Sequence, residues 1–313
     1  MENTVIITGA SGLVARHLVS YLLSNTDSEI VAISSNPGIV WKRHESSRLK
    51  SICYEEFFGA SRSRYNNKHA QEKGFVHLVH CAFTRKNDAE EVKRSIDLAY
   101  QVFNKCVEFE IDGVLNLSSR SIYKEPAEGQ LNTEDSELYL PGLIALGKYS
   151  VELLANSLLG RARIPYSNLR LASVNELKMD NNMIRPLNVF VENVIAGKPI
   201  RVIGGMQVMS FIDPRDVASA ICSLLTLPPH QWQDKYNIGT GWLCTDTLLN
   251  MARLVVERGM LLGFKPVPIN IEERVVNQHA GLDISRITAD TGWNPKVNLT
   301  GMIDSLFKMK IAQ

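Results

Sequence analysis

The stretch that most constrains the fold lies near the N-terminus, where a short strand, a glycine turn and a helix follow one another directly. The β-branched run Thr4–Thr8 predicts a strand, and Gly9 and Gly12 come immediately after it. Apolar side chains then recur at helical spacing, at Leu13, Leu18, Tyr21 and Leu22. A glycine pattern becomes informative in this context, because the chain passes from strand to turn to helix around it.

The chemistry of this turn suits an anion. Gly9 lets the chain turn tightly, and Gly12 has no Cβ, so a pyrophosphate can approach the backbone. Ala15 is small enough for the helix to pack closely on the strand, and the free N–H groups of the first helical turn then face the anion. A βα turn without a ligand is the alternative, and the rest of the chain fits it less well. The predicted dinucleotide contacts are therefore Gly9, Ser11, Gly12, Leu13 and Val14.

The composition is that of a globular protein, because 45% of the 313 residues are hydrophobic and can form a sizeable core. A net charge of +1 gives no electrostatic reason to expect a nucleic acid or a membrane surface as partner. No long apolar run predicts a membrane-spanning helix and no basic region marks a signal peptide, so a cytoplasmic location is expected. The five cysteines form no CxxC pair and the histidines no HExxH cluster, so free thiols and no metal site are expected.

Strand and helix signals alternate through the first half of the chain. Strands are predicted at 4–8, 29–34, 52–54, 75–80, 113–117 and 166–171, with helices at 90–107 and 146–159. This alternation is typical of a doubly wound parallel sheet, the Rossmann α/β fold, whose buried strands are short apolar runs. We therefore predict a dinucleotide-binding Rossmann domain at residues 1–172.

After residue 171 the regular alternation of strand and helix signals ends, and glycines and prolines separate shorter elements. Helices are predicted at 215–227 and 245–259, and a strand at 269–276. These elements predict a smaller C-terminal α+β region at residues 173–313, from which some chain crosses back to the sheet.

A series of short motifs accompanies this pattern along nearly the whole chain. In order they are residues 8–15 (TGASGLVA), 80–82 (HCA), 117–123 (LSSRSIY), 205–212 (GMQVMSFI), 215–218 (RDVA), 236–239 (YNIG) and 292–295 (GWNP). Their order and spacing resemble the extended short-chain dehydrogenase/reductase family, in its branch of NAD-dependent nucleotide-sugar epimerases, reductases and dehydratases. The resemblance implies a nicotinamide cofactor in the N-terminal domain and a substrate-binding C-terminal region, residues 173–313, that holds a nucleoside-diphosphate sugar. It also implies chemistry that begins with hydride transfer from a sugar carbon.

Further cofactor contacts are implied by this resemblance. They are Ser34 at the end of the second strand, Cys81 and Ala82 after strand 75–80, and Lys148, which would bind ribose hydroxyls. An acidic residue ending the second strand would bind the adenosine ribose of NAD, whereas residues 34–36 are Ser-Ser-Asn. The lack of a carboxylate permits NADP without demonstrating it, so both NAD and NADP stay open.

The catalytic tyrosine of the family is missing from its expected position. Relatives carry a YxxxK motif, in which the i, i+4 spacing places phenol and ammonium on one helix face. The lysine favours the phenolate and turns a group with a pKa of about 10 into a usable base. Here the lysine is Lys148 and the tyrosine position holds Ile144, which cannot accept a proton at any pH. Proton transfer would pass through Ser119, a water, or a phenol such as Tyr123 or Tyr139, the latter only after a loop rearrangement.

The residues that resemble the family's substrate contacts are partly retained. Ser119 matches the hydroxyl that works beside the tyrosine, so Ser119 and Lys148 form the predicted catalytic pair. The alternative role of Ser119 is a capping or strand-end hydroxyl, and both roles stay open. Asn182 resembles the residue beside the uridine phosphate, and Arg274 resembles one diphosphate clamp. The other clamp arginine is replaced by Met209, and a thioether cannot substitute for a bidentate guanidinium.

Two functions remain open at this stage. Dehydratases of the family carry an acidic pair at the positions of Arg120 and Ser121. Because eliminating water needs an acid and a base, the absence of this pair argues against a 4,6-dehydratase. The first hypothesis is an epimerase or oxidoreductase that acts on a nucleotide-linked sugar. The second is a non-catalytic NAD(P)-binding sensor, scaffold or partner subunit. A homodimer is also possible, because relatives often pair through helices of the sheet domain and an apolar stripe runs from Val92 to Cys106.

Overall fold

The computed structural model describes residues 3–41, 44, 46–61, 74–175, 186–276 and 279–312. Its strands are β1 (Thr4–Thr8), β2 (Glu29–Ile33), β3 (Leu49–Ile52), β4 (Val76–His80), β5 (Gly113–Ser119), β6 (Tyr166–Leu171), β7 (Ser173–Val174), β8 (Ile200–Ile203), β9 (Val208–Ile212), β10 (Lys235–Ile238), β11 (Thr245–Thr247) and β12 (Ile269–Glu272). Its helices are α1 (Leu13–Asn25), α2 (Pro37–Trp41), α3 (Tyr54–Gly59), α4 (Ala89–Phe109), α5 (Leu143–Ala155), α6 (Pro186–Ile195), α7 (Pro214–Leu225), α8 (Leu248–Leu261), α9 (Ser285–Thr291) and α10 (Leu299–Ile311).

A parallel sheet organises the chain. Within the described residues, seven strands pair in the order β3-β2-β1-β4-β5-β6-β10. The order reverses between β1 and β4, and such a reversal opens a crevice at the carboxyl ends of the strands. The predicted doubly wound α/β fold is therefore confirmed.

The strand register aligns three chain segments at this crevice. Thr8, the last residue of β1, pairs with Ile33 on β2 and with His80 on β4, so all three strands end at one level. The next strand, β5, pairs His80 with Asn116 and continues three residues further to Ser119. The turn after β1 and the end of β5 therefore face the same edge of the sheet.

Helices cover both faces of the sheet. Helices α1 and α7 pack together on one face, and α4 and α5 on the other. A Cβ at Gly147 on α5 would lie 2.5 Å from Cγ1 of Val92 on α4, so these two helices meet in close contact. The apolar stripe from Val92 to Cys106 is buried against the sheet within the chain, and the possible homodimer stays a prediction.

The C-terminal region has its own core. Strands β11, β9 and β7 form a small sheet, β12 pairs with β8, and helices α6, α8 and α10 surround the apolar core beside them. One buried carboxylate connects helix α7, which packs on the large sheet, to the segment before α10. Asp216 on α7 accepts the N–H groups of Lys296 and Val297 at 3.1 and 2.9 Å. The large sheet takes its edge strand β10 from after residue 172, and the division at that residue stays a prediction.

Two element predictions were wrong. The third strand is Leu49–Ile52 instead of 52–54, because Sγ of Cys53 accepts the N–H of Glu56 and caps a helix that begins at Tyr54. Residues Thr245–Thr247 form a strand paired with β9, and the helix begins at Leu248 because the Thr247 hydroxyl accepts the N–H of Asn250.

Candidate functional site

The turn after β1 depends on the absence of a side chain at Gly9. Its φ is +66°, a conformation that L side chains rarely adopt. A Cβ built there would lie 2.7 Å from Cα of Ala82, so the loop after β4 approaches the turn directly. The N–H of Gly12 donates to the carbonyl oxygen of Gly9 at 2.9 Å and closes the turn. The predicted contacts Gly9 and Ala82 therefore lie side by side.

The start of α1 is open to an anion. Gly12 is the N-cap residue, and within the described part of the chain no side chain caps this helix. Ser11 and Gly12 are exposed, whereas the Leu13 side chain is buried and Val14 is half-buried. The predicted contacts of Leu13 and Val14 would therefore be made by their backbone N–H groups, which carry the positive end of the helix dipole.

The adjoining ends of β2 and β3 add two hydroxyl groups. Ser34 follows β2, and its Oγ is buried with no hydrogen-bond partner among the described residues. Tyr54 reaches the turn from α3, and its Oη accepts the N–H of Gly9 at 3.0 Å. Burial raises the pKa of Tyr54 to about 12, so the phenol stays neutral. Sequence reasoning missed Tyr54 because it placed this residue in a strand.

Buried side chains join β1 to β4 below the crevice. Oγ1 of Thr8 and Nδ1 of His80 share a hydrogen bond at 2.8 Å, and burial lowers the pKa of His80 to about 3. Cys81 follows β4 and is half-buried, and burial raises the pKa of its thiol to about 12. Cys81 is therefore a neutral wall of the crevice and has no thiolate character near neutral pH.

Lys148 connects the crevice to the end of β5. Its Nζ donates to the carbonyl oxygen of Leu117 at 2.6 Å and lies 4.3 Å from the ring centroid of Phe83. Burial lowers the pKa of Lys148 to about 8, although the neighbouring Cys81 opposes this shift. Ile144 is half-buried one helical turn before the lysine on α5.

Ser119 is the last residue of β5 and lies two residues after Leu117, which Lys148 contacts. Its Oγ accepts hydrogen bonds from the N–H of Ser121 at 3.1 Å and from the Ser121 hydroxyl at 2.9 Å. With its acceptor positions used in this way, Ser119 is arranged to donate its own hydroxyl proton to a ligand oxygen. The side chain is half-buried and lines an open cavity.

That cavity has a volume of about 500 Å³. Tyr139 lines this cavity together with Ser119 and is 60% exposed. Tyr149, the residue after Lys148, lines a different pocket with Glu152. The loop rearrangement expected for Tyr139 to reach the position beside Lys148 stays a prediction.

Tyr123 also borders the cavity, but its hydroxyl is held in a buried network. Tyr123 Oη donates to Oδ1 of Asn237 at 2.8 Å and accepts from Nη1 of Arg170 at 2.9 Å. Arg170 in turn forms a bidentate ion pair with Glu152. Burial raises the pKa of Tyr123 to about 12. This arrangement disfavours Tyr123 as the proton acceptor and indicates a structural role.

The predicted substrate contacts of the C-terminal region are less well defined. Asn182 lies outside the described residues. Arg274 is exposed after β12, and its carbonyl oxygen packs against Gly204, five residues before Met209. Met209 is partly buried and packs against the C-terminal core, so its thioether contributes to packing. Arg274 is not among the described residues that line the Ser119 cavity.

A dinucleotide fits this crevice. The turn at Gly9 packs tightly on Ala82, the first amides of α1 have no cap, and the buried hydroxyl of Ser34 has no partner in the described chain. Among the described residues, no three side chains of histidine, cysteine, aspartate or glutamate gather as a metal ion would require. None of the described helices has the length and apolarity needed to cross a bilayer.

The fold and the turn define the class of dinucleotide-binding α/β proteins. Within it, the chain belongs to the NAD dependent epimerase/dehydratase family, whose model matches residues 5–239. The family description names NAD, one of the two cofactors left open by the sequence. No functionally curated protein matches the chain at a significant level.

Solved structures with this fold include three nucleotide-sugar epimerases. The UDP-glucuronic acid 4-epimerase of Bacillus cereus, in complex with UDP-glucuronic acid and NAD, is 18% identical with a TM-score of 0.78 over 99% of this chain and 100% of that one. The UDP-glucose 4-epimerase of Thermotoga maritima, with UDP-glucose, is 17% identical with a TM-score of 0.74 over 99% and 100% of the two chains. The UDP-N-acetylglucosamine 4-epimerase of Methanobrevibacter ruminantium M1, in complex with UDP-N-acetylmuramic acid, is 18% identical with a TM-score of 0.77 over 98% and 99%.

Proposed function

We propose that the protein is an NAD-dependent enzyme that epimerises or oxidises a hydroxyl-bearing carbon of a nucleotide-linked sugar. The observation that carries this proposal is the position of Lys148. Its ammonium contacts the backbone of β5 at Leu117, two residues before Ser119, and it lies close to Cys81 after β4. This position supports a cofactor contact and a substrate hydroxyl contact at one edge of the sheet.

The residues that would hold the cofactor line the crevice in sequence order. The amides that open α1 would bind the pyrophosphate, Ser34 would meet the adenosine ribose, and Lys148 would bind the other ribose. NAD bound there supplies a hydride acceptor for a sugar carbon. Ala82 and Cys81 form an uncharged wall, which keeps competing charge away from the reacting groups.

Hydride loss turns the sugar hydroxyl into a carbonyl only if the hydroxyl proton also leaves, so the site needs a proton acceptor. Ile144 cannot serve. Ser119 is arranged as a donor and would orient the sugar oxygen. Tyr139 lines the same cavity with an exposed side chain, so it is assigned as the group that takes the proton, in the role a tyrosine at position 144 would have.

The nucleotide part of the substrate is inferred from relatives. The three epimerase structures contain UDP-sugars, and this chain matches their folds over nearly full length. Arg274 lies on the exposed segment after β12, beside the Gly204 turn, where it can meet a diphosphate. Asn182 is assigned to the same nucleotide contact on its sequence resemblance.

The test is an assay of purified protein and NAD with UDP-, GDP- and dTDP-linked sugars, in which the product sugars are resolved by NMR. At least one substrate should be converted. Tyr139→Phe should lower kcat about 100-fold, because a phenyl ring has no proton to exchange. Tyr149→Phe is the matched control, since Tyr149 lines the other pocket and should leave turnover unchanged.

Ser119→Ala provides a second measurement. It should lower kcat/KM about 100-fold, whereas Ser118→Ala should have little effect, because Ser118 is buried and its Oγ has no partner in the described chain. Full activity of both Ser119→Ala and Tyr139→Phe would contradict the assigned roles.

A non-catalytic NAD-binding protein is the second candidate, and the alkyl side chain at Ile144 favours it. NAD binding without conversion of any sugar in the panel would support this function. Gain of turnover in Ile144→Tyr would then show that only the base was absent from an otherwise competent site.

A further inference from the structure

We propose that Arg120 forms a subsite for a carboxylate on the sugar, so that the preferred substrate is a nucleotide-linked uronic acid. This inference rests on the proposed function for the nucleotide and the reacting hydroxyl. It goes further by assigning the charge of the sugar itself.

Arg120 lies directly beside the proposed reaction centre. It begins the short 3-10 turn Arg120–Ile122, immediately after Ser119, and its side chain is half-buried along the 500 Å³ cavity. The one hydrogen bond that its guanidinium makes within the described chain runs from Nε to Oγ of Ser173, at a long 3.4 Å. No carboxylate of the described residues lies within ion-pair distance of it, so both Nη groups are available to a ligand.

Two other arginines of the protein, Arg170 and Arg258, form ion pairs with carboxylates of the chain. Arg170 is buried and makes two short hydrogen bonds to the carboxylate of Glu152. Arg258 does the same with Asp304, at 2.8 and 2.7 Å. Arg120 is partly removed from water without such a partner, and burial lowers its pKa. Removing an unpaired guanidinium from water costs free energy unless an anion binds to it.

Among the charged side chains around the cavity, Arg120 is the group that can bind a carboxylate. Lys124 also lines the cavity, but its Nζ is paired with the carboxylate of Glu137 at 2.7 Å. Glu125 is exposed at the rim and only partly opposes the effect of burial on Arg120. The available positive charge in the described lining is therefore the guanidinium next to Ser119.

The chemistry of the surrounding wall favours a sugar carboxylate over a diphosphate. Hydroxyl groups of Ser119, Ser121 and Ser173 line the cavity and match the hydroxyls of a sugar ring. A planar guanidinium binds a planar carboxylate with two parallel hydrogen bonds. The diphosphate is assigned to the Arg274 segment, which is not part of the described cavity wall.

The test measures binding by calorimetry to the NAD-loaded protein, with UDP, UDP-glucose and UDP-glucuronic acid as probes. UDP-glucuronic acid should bind at least tenfold more tightly than UDP-glucose. Arg120→Met should remove this preference and leave the affinity for UDP unchanged. Lys124→Met is the matched control and should keep the preference, since the ammonium of Lys124 is already paired.

The outcomes separate this inference from the proposed function. Equal binding of UDP-glucose and UDP-glucuronic acid by the unmodified protein would overturn the carboxylate subsite and leave the proposed function standing. Failure of all three probes to bind would overturn both. If Arg120→Met does not fold, Arg120→Gln and the preference of the unmodified protein decide the question. An uronic acid preference that survives both replacements assigns the carboxylate to another residue and also overturns the inference.

Discussion

The two ends of the crevice are built on different principles. At the proposed nucleotide end, the candidate site consists of backbone: the positive φ of Gly9, its close approach to Ala82 and the uncapped amides of α1. At the proposed sugar end, the candidate site consists of side chains from three segments, namely Ser119 with Arg120, Tyr139, and Lys148. We expect the first end to tolerate few substitutions, because a backbone geometry has few solutions. We expect the second to tolerate more, because one side chain can be exchanged for another while the backbone stays in place.

This contrast explains how the chain can keep the cofactor turn of its family while position 144 holds an alkyl group. With Ile144 in place, α5 remains a regular helix that presents Lys148 toward the end of β5. A side chain at Gly9, in contrast, would disturb both the turn and the loop after β4. Four changes test this comparison, ordered by the size of the expected effect.

The largest effect is expected for Gly9→Ala. Its Cβ would lie 2.7 Å from Cα of Ala82, so NAD affinity should fall at least 100-fold, about 3 kcal/mol. Gly129→Ala is the control, because Gly129 also has a positive φ of +72° but no atom within 4 Å of an added Cβ. It should lose about 1 kcal/mol of stability from backbone strain and bind NAD normally. Similar NAD affinities of the two variants would contradict a turn defined by close approach.

The second-largest effect is expected in the pH dependence of the free energy of unfolding, through the buried His80 below the turn. The folded-state pKa of His80 is about 3, so between pH 6.5 and 3 the unfolded chain binds a proton that the folded chain does not. The free energy of unfolding should therefore fall as pH decreases, by about 2 kcal/mol between pH 7 and 5 from His80 alone. His77, whose pKa burial lowers to about 4, adds to the slope.

Urea unfolding at several pH values measures this slope. His80→Leu should flatten it, even though loss of the Thr8 hydrogen bond lowers stability at every pH. Replacement of the exposed His230 by Gln should leave the slope as it is. An unchanged slope in His80→Leu would exclude His80 as its source.

The third effect tests whether Lys148 serves the ligand or the fold. Lys148→Met should weaken NAD binding about tenfold, because the ribose loses its ammonium contact. Thermal stability should not fall, since the variant removes a desolvated cation from an apolar contact with Phe83. Lys93→Met, on the exposed face of α4, is the control for charge removal. Lower stability with unchanged NAD affinity would indicate a purely structural lysine.

The smallest effect is expected at Tyr54. Its hydroxyl occupies the N–H of Gly9, on the β2–β3 side of the turn where the adenosine would bind. Tyr54→Phe removes this competing contact, so NAD should bind about fivefold more tightly, near 1 kcal/mol. Tyr100→Phe, on an exposed part of α4, should have no effect. Weaker NAD binding in Tyr54→Phe would show instead that the phenol contacts the cofactor.

The sequence predicted the parts of the protein that depend on short-range pattern. The strand Thr4–Thr8 and the strand Tyr166–Leu171 have the predicted bounds, and the parallel sheet is confirmed. The third strand was misplaced by three residues because its apolar signal at Ile52 overlaps the cap of the next helix at Cys53. A local pattern cannot distinguish these two when a cysteine acts as the capping residue.

What the sequence determined by itself was the fold class and the glycine turn, because the alternation of strands and helices is a local pattern and the turn follows from steric limits of the backbone. Only the tertiary structure decided which side chains meet at the sugar end. It brought Tyr139 to the Ser119 cavity, tied the Tyr123 hydroxyl to Arg170 and Asn237, and left Arg120 without a carboxylate in the described chain. These arrangements depend on contacts between residues far apart in the chain, and the spacing of residues along the sequence does not encode them.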